Sequence, residues 1–464
     1  MMPPCRARSP VARAEREVTT VRLTHWAGPI AVLLTLGTSG PEARTFSPAT
    51  YAARRNAILE RLGPQLLIVP SQSAFKADDQ ALFLQAANFQ YLVGESPLVG
   101  AVLVLDGQAR SSALFLAPRI PVLTRPQLDA GAESARSLAI DAVLPIADLE
   151  EWLRERFTSV SGVLVAGADP RGAVPAPPPM ADAVGRWTLY LSSLGWRGPV
   201  MPGVTVIRPL RERKEPAEVA ILERVAAASG RAMLAGLRAL RPGRWQREAE
   251  AEVVRACAAE GARPSFWPWT MSGPHAVFTD LFNSFVDYES HNRQMQSGEL
   301  VRVDVGCQLD HYMGDVGRTA PVSGHFNDGQ REAWDLFIAG YRAGLPRIRD
   351  GVTARSVYDA ALAAIRERQP SLKTAIGKRA AETLLGPHGL DAWELHGVGL
   401  DDAEGLPDTL KAGMTVAYEL MFAVDGDGFY LEDMVLVEAG GPRVLTSGLP
   451  YTATEIEAAM RAKR

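Results

Sequence analysis

Two segments of this chain repeat one design, and that repeat limits the fold more than any other feature. Gly298 to Asp304 and Gly413 to Glu419 each run from a glycine to an acid in six steps. Each is followed by a return segment with a second acid: His311 to Thr319 carries Asp315, and Phe429 to Val437 carries Glu432. The Asp pair is 11 residues apart and the Glu pair 13. A hairpin centred on Leu309 and Asp310 is expected to set Asp304 opposite Asp315, where paired side chains lie about 5 Å apart. Carboxylates that close repel unless a cation stands between them. The apolar neighbours Val303, Val305 and Val316 argue against a solvated face. Set face to face, two such hairpins converge four carboxylates, which about two divalent cations would neutralise.

Composition supports such a site by exclusion. The 464 residues hold seven histidines and three cysteines, Cys5, Cys257 and Cys307, too few for a disulfide framework or a cysteine zinc cluster. Any metal site must therefore be built mostly from carboxylates. Lys and Arg total 49 against 53 Asp and Glu, a net charge of -4 that argues against a nucleic-acid-binding surface. Hydrophobic content of 47% and charged content of 22% are those of an ordinary globular chain.

Three regions follow from the patterning. Residues 1–43 read as a signal peptide or disordered leader, with Arg6, Arg8, Arg13, Arg16 and Arg22 ahead of the apolar run Trp26 to Leu36. That run is too short to span a bilayer, and no later stretch is long and apolar enough to do so. A signal would make the protein periplasmic or secreted; without one it would be cytoplasmic. Residues 44–203 alternate helix and strand: a helix over Tyr51 to Leu62, then buried runs at Leu66 to Val69 (ended by Pro70), Ala101 to Leu105, Ala113 to Leu116 and Val163 to Val165. Pro170 to Met180 reads as an exposed loop. Residues 204–464 open with two amphipathic helices, Glu215 to Leu240 and Trp245 to Ala259, expected to serve packing. Trp267 and Trp269 could line a pocket or join a buried cluster. The fold class is α/β (α+β).

A nitrogen ligand would complete the acid cluster. His396, followed by Gly397 and Gly399 in a segment that permits close backbone approach, is the favoured candidate. His388 is the alternative, while His325 sits in a turn-like segment and His25 in the leader.

The series Asp304, Asp315, His396, Glu419 and Glu432 resembles the five-ligand set of the M24 metallopeptidases, which include aminopeptidase P and prolidase. Further segments carry the same resemblance. Ala87 to Gly94 is similar to the N-terminal domain of Xaa-Pro aminopeptidases, Arg211 to Pro216 to the entry of their catalytic domain, and Ser272-Gly273-Pro274 to an S-G-x-N-A loop. Gly314 to Thr319 and Leu431 to Asp433 resemble the ligand strands. The resemblance implies a creatinase/prolidase-type N-terminal α/β domain over 44–203 and a pita-bread catalytic domain over 204–464. It implies Asp304 on one metal, Asp315 and Glu432 bridging both, and His396 and Glu419 on the other. Glu419 would be catalytic, helping to deprotonate a metal-bridging hydroxide that removes an N-terminal residue from, or splits, Xaa-Pro peptides. The cofactors would be two divalent ions, Mn²⁺ first, with Co²⁺ or Zn²⁺ also suited. The implied partner is a short proline-containing peptide, with no nucleic acid and no membrane, and the implied assembly a homodimer or higher homo-oligomer.

The sequence also departs from that pattern. The histidine that usually precedes the first ligand strand is replaced, by position, with Asp280 or Asp287, and His291 could substitute only if the loop reshapes. A second histidine, seven residues after His396, is Ala403, and the arginine two residues before the last ligand is Tyr430. Glu419 is followed by Leu420-Met421 in place of Pro-Gly. The expected metal ligands are therefore all present, while the groups that hold substrate have changed. Loss of one stabilising donor costs about 10²–10³ in rate. The alternative reading is a non-peptidase of the same fold: a creatinase-like C–N hydrolase, or a metal-binding interaction protein with little turnover.

Overall fold

The computed structural model describes residues 45–72, 84–121, 127–167, 183–277, 283, 287 and 289–462, all within one unit, Arg44–Arg464. The leader, Cys5 and the Pro170 to Met180 segment lie outside the described residues.

The first helix, Pro48–Leu62, starts where Ser47 accepts a hydrogen bond from the Thr50 amide and Pro48 fills the first turn. It buries Tyr51, Ile58, Leu59 and Leu62. Six strands follow: β1 (Gln65–Pro70), β2 (Val102–Asp106), β3 (Ser111–Leu116), β4 (Ala142–Pro145), β5 (Gly162–Val165) and β6 (Val200–Pro202). They form one mixed sheet in the order β4-β3-β2-β1-β5-β6. Pro70 is the last residue of β1 and does not merely follow it, a strand-end position where a missing N–H is tolerated.

The second half is organised by long helices and a larger sheet. Helix Pro216–Ala239 begins with a capping box between Glu215 and Glu218 and packs along helix Gln246–Ala259. Ten strands follow: β7 (Arg263–Pro264), β8 (Trp269–Ser272), β9 (Leu300–Val305), β10 (Cys307–Leu309), β11 (Tyr312–Met313), β12 (Val316–Pro321), β13 (Trp393–Gly397), β14 (Thr415–Val424), β15 (Asp427–Glu438) and β16 (Gly441–Val444). Seven of them make the sheet β13-β14-β15-β12-β9-β8, with β16 added to β15. A small separate sheet holds β11-β10-β7.

The first acid hairpin differs in register from the sequence expectation. Asp304 pairs with Gly317, not with Asp315. The cause is the turn: Asp310 and His311 both adopt left-handed φ, 49° and 72°, so the two-residue turn centres on them. The second hairpin turns at Asp425 and Gly426 in the same way and sets Glu419 directly opposite Glu432. Its 13-residue spacing is that from Asp304 to Gly317, so Asp315 stands two residues short of the equivalent position. The chain also bends at Gly306 and Gly314, whose close packing leaves no room for a Cβ on Gly306. That bend sends β10 and β11 into the small sheet.

Cysteines too few for a framework still form one link. Cys257, in helix Gln246–Ala259, is bonded to Cys307 at the start of β10, with Cα atoms 5.6 Å apart.

Candidate metal centre

The sheet register builds the centre. Asp304 pairs with Gly317, Gly317 with Glu432, and Glu432 with Glu419, a single row across β9, β12, β15 and β14. Directly paired residues of antiparallel strands project to the same face. His396 pairs with Ala417, two residues before Glu419, and Asp315 precedes Gly317 by two, so both project to that face as well. Ligating atoms of Asp315, His396 and Glu432 lie within 4.8 Å of one another. His396 Nε2 is 3.4 Å from Glu432 Oε1 and 4.0 Å from Asp315 Oδ2. Its Nδ1 is 3.0 Å from the Gly397 carbonyl, a contact that leaves Nε2 to face the acids.

These acids are largely withdrawn from water, with Asp304, Asp315 and Glu419 each 8% exposed and Glu432 fully buried. Burial, with the charge of Glu432 adding to it, moves the Asp304 carboxyl up to about 7 against the opposing pull of the Arg302 cation. Burial and Glu432 push Asp315 and Glu419 well above the ordinary carboxylate range. Burial disfavours the His396 cation, yet Glu432 and Glu419 outweigh it and raise the imidazole to about 10. A buried cluster that strains toward protonation is one a divalent cation would relieve. Asp304 Oδ1 is buried with no hydrogen-bond partner, while Asp304 Oδ2 accepts from Arg302 at 3.1 Å. An oxygen left bare in this way fits a cation ligand, because unsatisfied buried acceptors are rare.

The other residues singled out from the sequence fall elsewhere. The His388 side chain is 90% exposed beside Asp391, and His325 is exposed near Glu457. His275 and His291 lie side by side with tilted rings, centroids 4.9 Å apart, and His291 Nδ1 is 2.7 Å from the Asp287 carbonyl. Asp287 accepts from the Ser290 amide at the surface. Asp280 lies outside the described residues, and Ala403 is half-buried. Trp269 pairs with Asp304 and so projects to the acid-bearing face, whereas Trp267 donates to Glu250 at 3.0 Å.

Sequence reasoning missed the support behind His396. Arg211 donates to Asn88 Oδ1 at 2.7 Å, to Asp401 Oδ2 at 2.6 Å and to Glu404, while Lys214 donates to Glu404 Oε2 at 2.8 Å. Glu404 in turn exchanges two backbone hydrogen bonds of 2.7 Å with Gly397. One buried network thus ties the Asn88 and Arg211 segments to the loop that follows His396. No local signal singled it out, because Glu404 follows two other acids, Asp401 and Asp402, in the same short segment. Burial opposes its charge, but Lys214 and Arg211 prevail and hold its carboxyl down at about 2. A depressed carboxyl contributes stability that is present above its unfolded value and lost as pH falls through the folded one. Stability should therefore decline between about pH 4.5 and 2, and Glu404→Gln should flatten that decline in denaturant titrations at stepped pH.

The fold is of the pita-bread class, and its acid-rich face is suited in donor type to divalent cations. Residues 220–439 match metallopeptidase family M24. The Xaa-Pro aminopeptidase of Escherichia coli (strain K12) is 26% identical over 449 residues, covering 89% of this chain and 98% of the relative. The Xaa-Pro dipeptidase of Pyrococcus horikoshii is 23% identical over 393 residues, covering 79% and 92%. Among solved structures, Pseudomonas aeruginosa aminopeptidase PepP superposes with a TM-score of 0.71 at 24% identity, covering 90% of this chain and 99% of that one. The chain is a metallopeptidase that carries an M24 domain on the aminopeptidase P fold. That family implies divalent metal ions as cofactors. Among the described residues no helix is long and apolar enough to cross a membrane.

Proposed function

We propose that this protein is a dinuclear metal-dependent Xaa-Pro peptidase, with Asp304, Asp315, His396, Glu419 and Glu432 holding the cations. The observation that carries the reading is the gathering of all five side chains on one face of the sheet, with Asp304 Oδ1 left bare. Relatives named Xaa-Pro aminopeptidase and Xaa-Pro dipeptidase support the substrate class. Divalent cations bound there would supply activated water and polarise the scissile carbonyl. The protein's own residues do the rest. Glu419, whose carboxyl is pushed up by burial and by Glu432, accepts the proton released from water and later returns it to the departing amine. His396 is oriented by the Gly397 carbonyl and held in place by the Arg211–Glu404 network. Trp269, at the end of the acid row, offers an apolar wall for the prolyl ring.

Manganese is the proposed metal, and the oxidised Cys257–Cys307 pair supports a periplasmic or secreted location, where such bonds persist. The absence of a histidine at Ala403, and the pairing of His275 with His291, favour a second reading. In it the same centre serves a creatinase-like C–N hydrolysis or metal binding with little turnover. Protein loaded with Mn²⁺, Co²⁺ or Zn²⁺ should release the first residue from Xaa-Pro-Yaa tripeptides or split Xaa-Pro dipeptides, and chelation should stop it. Metal-dependent release from creatine alone would establish the second reading, and silence on every substrate would end the peptidase one.

A further inference from the structure

Arg302 and Tyr430 form a buried pair immediately beside the acid row. Arg302 lies on β9 two residues before Asp304, and Tyr430 on β15 two residues before Glu432, so each projects to the same face as its acid. They are 2% and 1% exposed. The Arg302 guanidinium stacks 4.1 Å from the Tyr430 ring centre and donates to Asp304 Oδ2 at 3.1 Å. The Tyr430 hydroxyl donates to Glu432 Oε2 at 2.5 Å. Between the two strands stands Gly317, where a Cβ would run into the Tyr430 ring, so the glycine makes the stack possible. The Tyr430 amide is held in turn by Thr319 Oγ1 at 2.8 Å.

Each of these acids therefore has one oxygen committed and one turned inward. Asp304 keeps Oδ1 bare, and Glu432 Oε1 faces His396. A carboxylate with both oxygens free rotates about its terminal bond; fixing one oxygen fixes the direction of the other. The guanidinium also places one positive charge against the four acids, and its stacking on a buried aromatic face is favourable.

We propose that Arg302 and Tyr430 are positioning residues that act as one unit, aiming Asp304 Oδ1 and Glu432 Oε1 at the cation. The proposal rests on the metal-centre reading above. It also accounts for a departure in the sequence: the guanidinium expected at position 430 comes instead from position 302 on the adjoining part of the sheet, with tyrosine in its former place.

The test reads metal binding and does not depend on turnover. Mn²⁺ titration by calorimetry and the visible absorption of the Co²⁺ form should be compared across the unmodified chain, Arg302→Leu, Tyr430→Phe and the exchange Arg302→Tyr/Tyr430→Arg. Each single substitution should weaken Mn²⁺ binding by about 10–100-fold and shift the Co²⁺ band, and the exchange should recover part of both. Tyr430→Phe deletes only a hydroxyl, so it carries the test if Arg302→Leu does not fold. Single variants with unchanged affinity and spectrum, or an exchange as weak as Arg302→Leu, would overturn the positioning role alone. No metal uptake by the unmodified chain would overturn the metal centre itself, and the positioning role with it.

Discussion

Glu419→Gln is expected to lower turnover of an Xaa-Pro-Yaa tripeptide by about 10²–10⁴-fold, the range lost with a general acid–base group. The expectation follows from where Glu419 sits. It faces Glu432 across the β14–β15 ladder, is nearly buried, and has its carboxyl driven well above the ordinary range. A carboxylate so placed beside the proposed cations can take a proton from water and surrender it again, whereas an amide cannot. The substitution keeps the size and one oxygen of the side chain, so the thermal midpoint and KM should move little while kcat collapses. Glu419→Ala removes the oxygen as well and should also lower bound metal, measured by elemental analysis after desalting. Near-normal kcat in either variant would end the assignment of Glu419.

The two hairpins were legible because their signals are local. Alternation to an acid and two-residue turns identified the strands, and the six steps from Gly413 to Glu419 led correctly to a pair with Glu432. The partner of Asp304 was misjudged because register depends on which two residues turn. Asp310 and His311 carry no glycine to announce a left-handed turn, unlike Asp425-Gly426. His396 stood out through its flanking glycines, but nothing near it revealed Glu404, whose partners Arg211 and Lys214 are some 190 residues away in the chain. The Arg302–Tyr430 stack was invisible for the same reason: it depends on strand order β15-β12-β9, with Gly317 between them. Counting cysteines excluded a framework without predicting that two of them would meet.

That cysteine pair carries the second large effect. Cys257 and Cys307 close a loop with a sequence separation of 50, and a cross-link of that span restricts the unfolded chain by about 4 kcal/mol on the chain-entropy view. The loop contains β7, β8 and β9, and Cys307 follows Asp304 by three residues. The Cys307 amide is further held by Ser229 Oγ at 2.9 Å from helix Pro216–Ala239. Reduction therefore acts on the unfolded state and, in the folded state, releases the end of the strand that presents Asp304. Reductant should lower the denaturant midpoint of the unmodified protein by an amount equivalent to that energy. It should leave a Cys257→Ala/Cys307→Ala variant unchanged, because that chain has already lost the link. Both cysteines are fully buried, so loss of the bond should require partial unfolding and proceed slowly without denaturant. Equal midpoints with and without reductant, in protein shown by thiol counting to be fully reduced, would mean that the link adds nothing to stability. If the link does hold β9 in place, Mn²⁺ affinity should fall on reduction in the same samples, joining the stability of this loop to the geometry of the proposed centre.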